Sequence, residues 1–316
     1  FVGRAAFLLL PDYQKTLEQS LSEQLQVPVK VERLSGRWLG FDPIIDIEGL
    51  SINGSENAYV GRTRIHISFL ASIYALAPRF KSIVVEHSEF ALFQDVQGLW
   101  KAAGFEMSEN TSSEDADYSK LNSFFNGAAI TLLDNAISLR NKHGKIQTLR
   151  LPVISLNYRG DKLFASGKVL QEKGSKTLLN FSLEGKGVLA KQEVSGTLYL
   201  EARSSEFFDR ILNRYQWEHV SIQNIDASAR VWLSFKGFNV NSIQGDVQVH
   251  QINWKAAEKS LAPIVNAALD FEWTKTVEQS QLSLKGLGLS WVGEVCHSAD
   301  IDILSQAQET QINANY

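Results

Sequence analysis

The sequence predicts a mainly β protein with a few short helices and antiparallel strands. Three observations carry this. From about residue 128 onward, apolar and polar residues alternate with a period of two in one segment after another, as in Leu198/Leu200/Ala202 against Thr197/Tyr199/Glu201. Gly, Asn, Asp or Lys follows each such segment at a turn. Helix-length periodicity does not regularly link successive strands, which argues against a βαβ parallel sheet. Six prolines in 316 residues suit long uninterrupted strands.

The elements follow in chain order. Phe1 to Leu10 (FVGRAAFLLL) is apolar with one Arg, about half the ~20 residues that span a bilayer. It reads either as a buried or disordered start or as the tail of a membrane helix. Asp12–Gln26 places Tyr13, Leu17, Leu21 and Leu25 four apart among polar residues, an amphipathic helix stopped before Pro28. Period-two segments follow at Val29–Val31, Ile45–Ile47 and Thr63–Phe69. Leu70–Ala77 reads as a helical turn across the sheet, and Ser82–Phe93 as a pair of strands. Ser108–Ser119 (SENTSSEDADYS) is acidic, Ser-rich and aperiodic, a loop or linker. Beyond it, Ala229/Val231/Leu233/Phe235, Val247/Val249, Leu269/Phe271/Trp273 and Leu282/Leu284 mark apolar strand sides. Glu206–Tyr215 interrupts them, with Phe207, Phe208, Ile211, Leu212 and Tyr215 on one helical face.

Each alternating strand has one dry side, which must be hidden. A second sheet, a closed barrel or an open trough filled by something apolar would do it. The pattern alone favours a sandwich or barrel.

Composition excludes several functions. Hydrophobic residues make up 44% of the chain, enough for a sizeable core. Lys+Arg 31 against Asp+Glu 35 leaves a net charge of −4, a poor basis for nucleic-acid binding. One cysteine, Cys296, excludes an internal disulfide and a Cys-rich zinc site. The six histidines include no pair three or four apart, so no helical metal pair exists. Gly185-Lys186-Gly187 begins a G-x-G-x-x-A match, but a strand follows it rather than a helix, so it reads as a hairpin turn. Asp42, Asp46 and Glu48 could form a carboxylate pair, and read better as a solvated polar side. No catalytic set emerges, and the expectation is a non-enzyme without cofactor or metal.

One stretch is more specific. Asp12–Ile52 carries Tyr13, Leu17, Glu18, Leu21 and Ser22 on the helix, then Pro28-Val29, Gly36-x-Trp38, Gly40-Phe41-x-Pro43 and Leu50-x-Ile52. Asp95–Gly104 adds Gly98-x-Trp100, and Gly196–Leu200 a third match. This resembles the YhdP-type AsmA-like family of Gram-negative envelope proteins. The resemblance implies an inner-membrane anchor ending at residues 1–10 and an N-terminal helix and β lobe over 11–107. The acidic linker or loop over 108–127 is longer than the family's pattern. Residues 128–316 would be an antiparallel β-groove segment, truncated at the C-terminus relative to the longer family members. It implies membership of the bridge-like lipid-transfer group, with the bulk of the chain in the periplasm. The architecture implied is an elongated, curled sheet with an apolar groove, a closed β-sandwich being the alternative. The function implied is phospholipid movement between inner and outer membrane, supporting the permeability barrier, with outer-membrane or envelope proteins as further partners. A non-enzymatic periplasmic scaffold is the alternative.

On that reading Leu198, Leu200, Val231, Leu233, Phe235, Val247, Val249, Leu269 and Phe271 line the groove against acyl chains. Gly36, Trp38, Gly40, Phe41, Pro43, Gly98 and Trp100 are architectural. Gly36 and Gly40 would relieve a bend between the first helix and the sheet, with Trp38 and Phe41 anchoring it.

Overall fold

The computed structural model describes residues 10–25, 27–53, 57–94, 100–102, 127–140, 144, 146–171, 176–187, 194–203, 207–208, 220–237, 239–256, 259–276, 279–292, 294–306 and 309–315. It is mainly β, with two short helices longer than a single turn among the described residues. The chain divides into two compact units, residues 1–174 with 188–191, and residues 175–187 with 192–316. The acidic segment expected over 108–127 lies outside the described residues up to 126. So do the apolar start, residues 1–9, and Gly98.

The first unit opens with α1 (Leu10–Leu25), then β1 (Val29–Leu39), β2 (Asp42–Asn53) and β3 (Asn57–Ile67), each strand antiparallel to the next. α1 lies along the outer edge of β1 in the opposite direction. The Val29 N–H donates to Ser22 Oγ (2.9 Å) and the Val31 N–H to Glu18 Oε1 (2.8 Å). Gln14 Nε2 donates to the Val31 carbonyl (2.6 Å). Four helical residues rise about 6 Å and two strand residues about 6.7 Å, so side chains four apart can serve alternate backbone groups of a strand. Leu21 adds apolar contact with the buried cluster of Val27, Val29, Ile52 and Ala58.

The turn between β1 and β2 consists of Gly40 and Phe41, between the paired ends Leu39 and Asp42. Gly40 has φ +64°, a value that glycine adopts without strain, at the first position of a two-residue hairpin. The glycine-rich motif therefore serves a hairpin, not a bend between helix and sheet. Gly36 lies within β1 opposite Ile45, and Pro43 pairs with Trp38. Trp38 is partly exposed and packs edge-on against Phe69 at 5.8 Å, whereas Phe41 is 79% exposed and anchors nothing. The Gly160-Asp161 turn repeats the device, with φ +63° at Gly160.

After α2 (Phe69–Ala75) come β4 (Phe80–Glu86), β5 (Glu89–Gln94) and β6 (Trp100–Ala102), then β7 (Ala129–Arg140), β8 (Ile146–Arg159) and β9 (Lys162–Gln171). β4 and β5 do not form a hairpin. They run on in one direction, and both pair in parallel with β7, an exception to the expected antiparallel pattern. A matched kink falls where β4 passes to β5, with His87 and Asp134 at φ +53° and +50°. The Asn135 amide fills it, accepting from Ser88 N–H (2.8 Å) and donating to the Val85 carbonyl (3.2 Å). Ser88 and Asn135 are each only 1% exposed. Gly61 stands against this kink, where a Cβ would lie 2.4 Å from the His87 carbonyl oxygen.

The second unit is an antiparallel meander of β10 (Thr177–Lys186), β11 (Ser195–Ala202), β12 (Val220–Lys236), β13 (Asn239–Ala256), β15 (Ile264–Lys275), β16 (Gln279–Trp291), β17 (Glu294–Gln306) and β18 (Glu309–Asn315). The short β14 (Lys259–Ser260) pairs only with the end of β13 among the described residues. As expected for a hairpin, β10 and β11 pair antiparallel across Gly185 and Gly196.

Candidate functional site

Directly paired residues in neighbouring strands share a side of the sheet, so register decides what each side is made of. One row crosses the second unit as Phe181, Leu200, Val231, Gly245, Phe271, Leu284, Ile301 and Ala314. The next runs Leu183, Leu198, Leu233, Ile243, Trp273, Leu282, Ile303 and Ile312. Ala202, Ala229, Val247 and Leu269 form a third, and Ala227, Val249 and Ala267 a fourth. Gly196 pairs with Phe235. All nine residues proposed from the sequence thus fall on one side. At about 4.8 Å per strand, eight strands carry apolar residues for roughly 34 Å, about twice the ~15 Å depth of one bilayer leaflet's hydrocarbon.

The exposure of this side separates the architectures. In a sandwich the inner side chains of both sheets are dry. Here all nine residues are partly exposed, and none belongs to the buried core. Among the described residues, burial is concentrated at one end of the side. There Phe208 (9% exposed) and Phe207, their rings perpendicular at 5.4 Å, pack with Ala202, Ala227, Ala229 and Ile225 against Leu179, Val247, Val249 and Ile252. These two residues are helical. The rest of the helix expected over Glu206–Tyr215 lies outside the described residues.

The opposite side is polar. Glu201, Arg230, Asp246 and Asp270 form one row, and Tyr199, Trp232, Gln244, Glu272 and Ser283 another. Arg230 grips Asp246 through Nε (3.0 Å) and Nη2 (3.1 Å), which raises the guanidinium's pKa above its ordinary value. The Tyr199 and Trp232 rings pack at 5.1 Å, tilted by 45°. An open cavity of about 280 Å³ is lined mainly from this side, by Asp246, Asp270, Glu272, Ser283 and Lys285 among others. Its acidic wall does not suit an acyl chain.

The first unit also sorts its residues. Ile45/Ile65/Ile83/Ile130/Leu156 and Ile47/Thr63/Val85/Leu132/Ile154 align across five strands. On the other side Asp46 is not solvated, as the sequence suggested, but 5% exposed. It accepts from Arg64 Nε at 2.8 Å, with Arg62 Nη2 at 3.4 Å. Arg62 continues the network to Glu48 (3.8 Å) and Glu86 (4.0 Å). This is an ion-paired strut rather than an acid–base pair. Trp100 opens β6 opposite Gln94.

These elements define a mainly β protein whose strands form a large sheet that does not close into a barrel, with apolar residues aligned on one side of the second unit. The chain belongs to the YhdP protein family, whose model matches residues 2–316. That membership carries an envelope-related role. No curated protein matches the chain.

Sequence reasoning missed the Ser88–Asn135 node and the edge bonds of Glu18 and Ser22, for which alternation carries no signal. The apolar face that includes Phe207 and Phe208 was legible, but not which strand residues it packs against.

Proposed function

We propose that this chain is a non-enzymatic segment of a periplasmic lipid conduit. It shelters phospholipid acyl chains on their way between inner and outer membrane. The observation that carries the reading is the register-aligned apolar side of the second unit, dry in composition yet left partly exposed. Exposing acyl chains to water costs about 0.8 kcal/mol per CH₂, and an uncovered apolar sheet recovers that term without chemistry at any one residue. The headgroup stays in water, so selectivity for tail identity is low. In the same reading an N-terminal helix holds the chain in the inner membrane, the permeability barrier depends on it, and envelope proteins receive the lipid. Family membership supports the envelope setting. No helix among the described residues is long and apolar enough to cross a membrane, and the expected anchor lies largely outside them.

The test is photo-crosslinking to lipid from position 233 and from position 234, which point to opposite sides of β12. Crosslinks from 233 alone are expected. Leu233→Asp places a charge in the dry path, where an unpaired ion costs several kcal/mol. It should abolish lipid capture while circular dichroism stays native. Crosslinks from 234 alone would reverse the sides. Unfolding of the Asp variant would favour a closed core and the scaffold.

A further inference from the structure

The first unit carries an apolar patch that the groove does not use. α2 buries none of its residues. Leu70, Ile73, Tyr74 and Leu76 are 71%, 56%, 95% and 93% exposed. The β1–β2 hairpin adds Leu39 and Phe41, at 61% and 79%. The two elements are neighbours, because Phe69 contacts Trp38 by its ring and its N–H donates to Asp42 Oδ1 (3.0 Å). Exposed apolar side chains grouped in this way mark interaction sites.

We propose that this tip, Leu39–Phe41 with α2, seats in the headgroup and upper acyl region of an anionic phospholipid bilayer. Two features select a bilayer. The first is charge. Residues 69–81 (FLASIYALAPRFK) contain no acidic side chain, and Arg79 and Lys81 follow the helix directly. Residues 33–41 (RLSGRWLGF) likewise carry only basic charges, Arg33 and Arg37. Asp42 is the nearest acid on the hairpin, and it is engaged by the Phe69 N–H and by Lys81 at 3.7 Å. Exposed aromatic and leucine side chains with Arg and Lys close by in sequence match the chemistry of the bilayer interface. The second is direction. α1 is antiparallel to β1, so its N-terminal end heads toward the Leu39 end of that strand, where the hairpin and α2 lie. Leu10, the first residue of the helix, therefore lies toward the end of the unit that bears the patch.

The proposal rests on the envelope-lipid reading for the choice of membrane, not on transport through the groove. The test uses the full chain with Cys296→Ser, reconstituted into phosphatidylethanolamine–phosphatidylglycerol vesicles. Single nitroxide labels are placed by Leu70→Cys, Tyr74→Cys and, as an exposed apolar control on β8, Val153→Cys. Collision with oxygen should exceed collision with a water-soluble nickel complex severalfold at 70 and 74, and the reverse should hold at 153. Replacing phosphatidylglycerol by phosphatidylcholine should reduce the contrast at 70 and 74. Labels at 70 and 74 as water-accessible as the one at 153 would overturn the proposal and leave the patch to a protein partner. Lipid crosslinking from position 233 reports the groove separately, so water-exposed tip labels with crosslinking retained would overturn the bilayer contact alone.

Discussion

Asn135 bridges the kink between β4, β5 and β7, beside two backbone bonds, His87 N–H to the Leu133 carbonyl (3.1 Å) and Ala136 N–H to the Ser88 carbonyl (2.8 Å). Its amide supplies both an acceptor and a donor to backbone groups that water does not reach. Leaving two such groups unpaired costs about 1–3 kcal/mol each. Asn135→Ala should lower the unfolding free energy by about 2–4 kcal/mol, read from a denaturant midpoint. Asn135→Asp should fare no better, since it loses the donor and gains a buried charge. Little of this was legible beforehand, because an Asn after Leu132-Leu133-Asp134 reads as a turn rather than as the middle of a strand. Asp42 offers a pH handle. The Phe69 N–H lowers its pKa below the usual carboxylate value, helped by Lys81 and His66. A depressed folded-state pKa stabilises above the unfolded pKa and is lost as pH falls through the folded one. The tether of α2 to the hairpin should therefore persist at neutral pH and release in acid. The Phe69 amide resonance should titrate with a midpoint below that of an ordinary aspartate.

Elements were legible where their period was unambiguous. The helix expected at Asp12–Gln26 is α1, shifted by two residues at its start. Its apolar stripe says that it docks, but not that Glu18 and Ser22 terminate a sheet. Glu18→Ala should cost about 1.5–3 kcal/mol, as expected for a hydrogen bond to a charged group, and Ser22→Ala about 1 kcal/mol. Hydrogen exchange at Val31 and Val29, respectively, should report each loss locally. The parallel pairing of β7 was not legible, because alternation fixes which side a residue occupies but not the direction of the strand beside it.

Over the whole molecule, the two-residue period survived translation into structure. Bulges in β12, β13, β15 and β16 shift the register, yet the apolar rows still meet across the second unit. The sequence could not say whether a second layer covers them, since a sandwich and a trough share one alternation. Among the described residues, all nine are partly exposed and no second sheet packs on them. Native mass spectrometry of detergent-free protein should accordingly show bound phospholipid, and the Leu233→Asp variant should show none.

A strand edge with unpaired N–H and C=O groups invites another chain to add a strand. Along the side of β1 away from β2, Gln14, Glu18 and Ser22 already engage the backbone groups of Val29 and Val31. α1 therefore stands guard where a strand of a second copy would pair, and a Glu18→Ala/Ser22→Ala protein should scatter light at concentrations where the parent stays dispersed.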